Sequence, residues 1–118
     1  MTGQKTNEPF WWALFSMGGV VAAFFVPIHI FLHGIAVPLG WLPAETTGYE
    51  RMRAAFGHPL VKVYLFVVIA LPLYHWAHRF RFTLYDIGLK DLRTPIAILC
   101  YGAAVVGTVA TIGILLLV

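Results

Sequence analysis

The chain has 118 residues, of which 60% are hydrophobic and only 11% charged, with a formal net charge of +3. That length leaves room for one domain, and the charged fraction lies far below the roughly 25% of a soluble domain, so a sizeable soluble catalytic domain is excluded. The surplus positive charge sits beside apolar runs, which does not describe a nucleic-acid surface, and the single cysteine, Cys100, excludes an internal disulfide or a multi-cysteine metal centre.

Residues 1–8 form a polar tail, and Pro9 opens the first apolar run, which predicts a membrane-spanning helix over about 10–39. The run is too long for a signal peptide, and no small-residue cleavage site follows a short apolar core. Trp11 and Trp12 begin it, as an aromatic belt would; Gly18-Gly19 allow close packing and Pro27 predicts a kink. His29 and His33 share a helix face.

The first link, about 40–58, contains Thr47-Gly48-Tyr49-Glu50, which fits a capping box, followed by Tyr49, Met52 and Phe56 at helical spacing. A short helix lying in the membrane interface is expected there. Pro59 opens the second span, about 60–78, with Pro72 inside it and His78-Arg79 at its end. Its only charge before that end is Lys62. The second link, about 79–94, carries Arg79, Arg81, Lys90 and Arg93. Thr94 is a candidate N-cap for the third span, about 95–118, where Ala103, Gly107 and Thr111 form a stripe of small residues suited to helix packing.

The fold class is therefore all-α: one integral membrane domain, residues 1–118, with three transmembrane helices. The first link has Arg51 and Arg53 balanced by Glu45 and Glu50, whereas Lys5 lies on the same side as the more basic second link. The positive-inside rule puts the N-terminus and the second link in the cytoplasm. Three helices bury little against each other, so partner helices are expected in the bilayer.

Polar chemistry concentrates at the cytoplasmic helix ends. His78 can exchange a proton near neutral pH and Arg79 keeps its charge. Trp12, at the same predicted depth, can wall a pocket for a flat ring. The plainer account makes all three interfacial anchors. His75 and His78 share a face, which raises haem ligation, but His29 and His33 lie in the opposite half of the membrane from His75, so this chain alone does not offer two axial imidazoles at one depth. No carboxylate lies in mid-membrane, which weighs against a proton-coupled transporter.

Glu8-Pro9 leading into Trp12-Ala13-Leu14-Phe15, then Gly18-Gly19, Pro38-Leu39-Gly40, Tyr49-Glu50-Arg51, Leu71-Pro72-Leu73, His78-Arg79 and Tyr101-Gly102 together resemble the D-type membrane anchor of bacterial quinol:fumarate reductases. The resemblance runs over nearly the whole chain. It implies a non-catalytic subunit in the inner membrane, paired with the C-type membrane anchor, holding an iron–sulfur subunit and a flavoprotein subunit that carry the iron–sulfur clusters and FAD. It implies a menaquinol site shared among chains, to which this one contributes Trp12, His78 and Arg79, and no haem. The chain departs from the family where Arg79-Phe80-Arg81-Phe82 replaces a histidine-rich stretch, and in having His29, His33 and His75. The competing readings are a haem-binding succinate dehydrogenase anchor and a small transporter subunit.

Overall fold

A computed structural model describes residues 8–118; Lys5 and the rest of the tail, used above for orientation, lie outside the described residues. Among these residues the structure is helical, without strands. Helix α1 spans Glu8–Phe31, α2 Tyr49–Gly57, α3 Pro59–Asp86 and α4 Arg93–Leu117. Three segments of 28 residues, Pro9–Ala36, Pro59–Asp86 and Lys90–Leu117, are long and apolar enough to cross a membrane, and the chain is a multi-pass membrane protein. Helix α3 is central, with α1 packed on one side and α4 on the other.

The ends differ from the sequence reading in informative ways. The first run passes into a π-helical turn at Leu32–Ala36, closed by the Val37 N–H on the Leu32 carbonyl at 3.1 Å. The capping box is not formed: Gly48 stands at the N-cap of α2 with no side-chain cap, because Thr47 is taken up in a 3-10 turn, Ala44–Thr47. Likewise Thr94 is not a cap. A 3-10 turn at Lys90–Leu92 leads straight into α4, which puts Thr94 inside the first turn. An N-cap that sequence reading does not assign is His58, whose Nδ1 accepts the Leu60 N–H at 3.1 Å in front of Pro59.

The largest correction concerns α3. His78 and Arg79 do not end it; the helix continues two turns to Asp86. Phe80–Tyr85 contains neither glycine nor proline, and Arg81 and Leu84 are good helix formers. The stop comes at Gly88, whose φ of +112° is left-handed backbone. The Gly88 N–H bonds the Tyr85 carbonyl and the Leu89 N–H bonds the Leu84 carbonyl, both at 3.2 Å, the paired bonds of a Schellman ending.

Packing is carried by small side chains. A Cβ on Gly18 would fall on the Leu71 carbonyl oxygen and within 2.9 Å of the His75 Cβ, and one on Gly19 would meet the His75 ring at 2.7 Å. The glycine pair thus lets α1 approach the α3 backbone, as expected. Against α4 the buried row is Ile96, Cys100, Ala104 and Thr111, with Leu73 filling the space over Gly107. Of the expected stripe, Gly107 and Thr111 face α3 as expected, while Ala103 is exposed and its neighbour Ala104 is fully buried in its place. Thr111 and Thr108 return their hydroxyls to carbonyls four residues back, at 2.7 and 2.8 Å, which satisfies them without a partner helix.

Among the described residues no large side chain is fully buried within this chain, and Phe24, Ile98, Val106 and Leu116 are all more than half exposed. In water that surface would be prohibitive; in hydrocarbon or against partner helices it is at home. Substituting Gly18 by Val should lower the unfolding free energy in detergent micelles by about 1–3 kcal/mol, the usual cost of overpacking. Gly102→Ala, with no atom within 4 Å of the added Cβ, should leave it nearly unchanged.

Candidate functional site

At one end of the molecule a cavity of about 690 Å³ lies over α3, between α1 and α4. Trp11, Trp12, Leu14 and Phe15 form the α1 wall, and Tyr101 and Val105 the α4 wall. The floor is Leu71, Tyr74 and His78 of α3, three residues at helical spacing. This size and this largely apolar, aromatic lining with a few polar atoms are typical of small-molecule sites.

His78 lies at the centre of an aromatic cluster. Trp12 meets its ring edge-on at 5.7 Å and 81°, Phe15 at 4.6 Å and 63°, and Phe82 at 5.0 Å and 67°. Trp12 and His78 therefore do share one depth, as their positions in the sequence require. Nδ1 of His78 and the Tyr101 hydroxyl are 2.9 Å apart. A hydroxyl can donate or accept, so Tyr101 can serve either neutral tautomer of His78 and also its protonated form. Nε2 is the nitrogen left for other work. The Tyr74 hydroxyl is 3.2 Å from that of Thr108, which ties the cavity floor to α4.

Arg79 is the sequence candidate that the structure does not bring into this cluster. It follows His78 on the helix, a rotation of about 100°; it is exposed and absent from the cavity lining, and its carbonyl accepts the Thr83 hydroxyl at 3.0 Å. Tyr101, Tyr74 and Phe15 are site residues that sequence reasoning misses. A tyrosine within an apolar membrane helix needs a partner for its hydroxyl, and that signal is present at Tyr101.

The other histidines take separate places. His75 Nδ1 donates to the Phe15 carbonyl at 2.9 Å, and its ring stacks on Phe15 at 4.4 Å and 16°. His29 shares a hydrogen bond of 2.7 Å with the Tyr64 hydroxyl, and its ring stacks on that of His33 at 6.1 Å. Among the described residues there is no group of three or more His, Cys, Asp or Glu side chains that could hold a metal ion.

A family model described as the D subunit of fumarate reductase matches residues 2–116. The fumarate reductase D subunit of Mycobacterium tuberculosis (strain ATCC 25618 / H37Rv) is 46% identical over 116 residues, which covers 97% of this chain and 90% of the relative. That of Shewanella putrefaciens (strain CN-32 / ATCC BAA-453) is 33% identical over 113 residues, covering 95% and 93%. A subunit of this kind is a membrane anchor within a larger complex, accessory to the subunit that carries out catalysis. With three membrane-spanning helices in the expected order and a match along nearly its full length, the chain belongs to the family of fumarate reductase D subunits.

Proposed function

We propose that the cavity is this subunit's share of a quinol site. In this reading Trp12 is a wall, His78 exchanges the proton and Arg79 lends electrostatic support. With the C-type membrane anchor, the chain holds the iron–sulfur and flavoprotein subunits of a quinol:fumarate reductase on the inner membrane. The observation that carries this reading is the edge-to-face contact of Trp12 with His78 beside a 690 Å³ aromatic cavity. The end holding the cavity carries Arg79, Arg81, Lys90 and Arg93, and the positive-inside rule assigns it to the cytoplasm.

The residues present suit a quinol ring such as that of menaquinol. Its oxidation releases two electrons and two protons; the electrons pass to the iron–sulfur partner, and each proton needs an acceptor close to the ring oxygen. The flat apolar walls suit the ring, and the open side of the cavity offers a lateral way in for an isoprenoid tail. With Nδ1–H donated to Tyr101, Nε2 of His78 is a proton acceptor. Once Nε2 is protonated, the same Tyr101 bond persists, so the proton can be taken up and passed on without breaking the contact that orients the ring. Arg79, one residue on and outside the cavity lining, acts through its charge rather than by contact.

The imidazole geometry favours this reading over a haem-binding anchor. A bis-histidine haem takes imidazoles that face each other across the iron. The stacked rings of His29 and His33 lie along one helix face, Nε2 of His29 is engaged by Tyr64, and His75 and His78 both stand on α3, each packed against Phe15.

In the assembled complex, His78→Gln should lower quinol-coupled fumarate reduction at least about tenfold, in line with the removal of a general acid–base group. It should spare fumarate reduction driven by a soluble dye that feeds the partner subunits without quinol. Arg79→Gln should lower the same quinol-coupled rate by a smaller factor. Normal quinol-coupled rates in both variants would remove these residues from the site. Trp12→Ala should chiefly raise the KM for quinol. A visible spectrum of the purified complex should show no b-type haem band that depends on His29 or His75; a band lost in His75→Ala would move the assignment to a haem-binding anchor.

A further inference from the structure

A second hollow, of about 400 Å³, lies at the same end of the molecule between α3 and α4, outside the quinol cavity. Arg81, Tyr85, Arg93 and Thr94 line one part of it, and Phe82, Ala97 and Ile98 the other. The two arginines are held by aromatic faces. The Arg81 guanidinium carbon sits 4.4 Å from the Phe82 ring centroid and 5.2 Å from that of Tyr101, and that of Arg93 sits 5.4 Å from that of Tyr85. Tyr85 is fixed in turn by its hydroxyl donating to the Arg93 carbonyl at 3.0 Å. Nε of Arg81 is buried and has no hydrogen-bond partner among the described residues.

From this arrangement we infer that the hollow binds one anionic phospholipid, with its phosphate between Arg81 and Arg93 and an acyl chain along Phe82, Ala97 and Ile98. Three observations converge on that occupant. Two guanidinium groups offer forked donors matched to phosphate oxygens, and one of them holds a buried N–H without an acceptor. The Thr94 hydroxyl adds a further donor at the start of α4. The hollow is also graded: its cationic part gives way to an apolar part formed by Ala97 and the strongly exposed Ile98, one turn further into the apolar stretch of α4. A free inorganic anion would use only the first part, whereas an amphiphile uses both. Depth agrees as well. Arg81 stands about 33 Å along the helix from Pro59 at the usual rise per residue, which is just past the ~30 Å hydrocarbon layer and level with lipid phosphates.

The test uses the complex assembled with its partner subunits and purified in mild detergent, with retained lipids counted by mass spectrometry. The wild type should hold one more anionic phospholipid per copy than the Arg81→Gln/Arg93→Gln variant. Arg51→Gln/Arg53→Gln, which removes the same charge from the opposite end, should retain the wild-type number. Delipidated wild type should recover the lipid from vesicles containing phosphatidylglycerol, and the Arg81/Arg93 variant should not. Equal lipid counts in wild type and variant would overturn the inference. So would displacement of the lipid by millimolar inorganic phosphate, which would make the hollow a free-anion site. Cross-linking that places a carboxylate of a partner protein against Arg81 would overturn it too, by filling the hollow with protein.

Discussion

The hydrogen bond from His75 to the Phe15 carbonyl sets the geometry on which the rest of the structure depends. A helix carbonyl in the membrane is normally covered by its own helix and hidden behind the next side chain. Here the residue four positions on is Gly19, and where its Cβ would stand the imidazole of His75 comes in. Gly18 does the same for the α3 backbone at Leu71. Small residues and one interhelical hydrogen bond are what draw helices together where lipid is as apolar as any side chain. Once Phe15 is pinned to His75, one turn back on α1 and one turn forward on α3 bring Trp12 against His78. The register of the candidate site thus follows from a contact outside the chemistry.

The same register sets which side chains face the cavity. Helix α3 is gripped by α1 through glycines and by α4 through Cys100, Ala104 and Gly107. Trp11, Trp12 and Phe15 on α1 and Tyr101 on α4 are the bulky residues that line the cavity between the flanking helices. The polar atoms that border the cavity are tied up, His78 with Tyr101 and Tyr74 with Thr108, so the cavity is polar at few points while its walls stay apolar.

The helices are legible in the sequence because hydrophobic length is a coarse signal that a bilayer enforces. Trp12 and His78 are legible because each lies at the polar margin of an apolar run. Helix ends are harder to read, for a local reason. Proline marks where a helix can start, and the starts at Pro9 and Pro59 fall within a residue of expectation. Placing the end of α3 at its first charges, His78-Arg79, treats charge as though it ended a helix. The physical stop is a left-handed glycine at Gly88. The exposure of Arg79 has the same origin: in a continuing helix it must turn away from the face that His78 presents. In the α4 stripe Gly107 and Thr111 are read correctly and only Ala103 gives way to Ala104, since the two alanines are equivalent in composition and only the surface of α3 distinguishes them. Tyr101 shows in the sequence only as a hydroxyl that needs a partner; that the partner is His78, 23 positions away, is not legible there.

Among the described residues there are two imidazole–phenol pairs across helices, His29 with Tyr64 and His78 with Tyr101, and their difference shows what makes one of them a candidate site. Both are short and part-buried, at 2.7 and 2.9 Å. Both satisfy polar groups that would otherwise be costly in hydrocarbon. The first joins α1 to α3, with the ring of Phe25 against Tyr64 and that of His33 against His29; it needs nothing more to account for it than the packing of those two helices. The second joins α3 to α4 where Trp12 and Phe15 of α1 also meet the His78 ring, and its imidazole borders a hollow of molecular size. Hydrogen-bonding chemistry is therefore common to both ends of the bundle. What distinguishes the end with Trp12 is shape: aromatic residues of α1 and Tyr101 of α4 border a cavity of about 690 Å³ beside the imidazole.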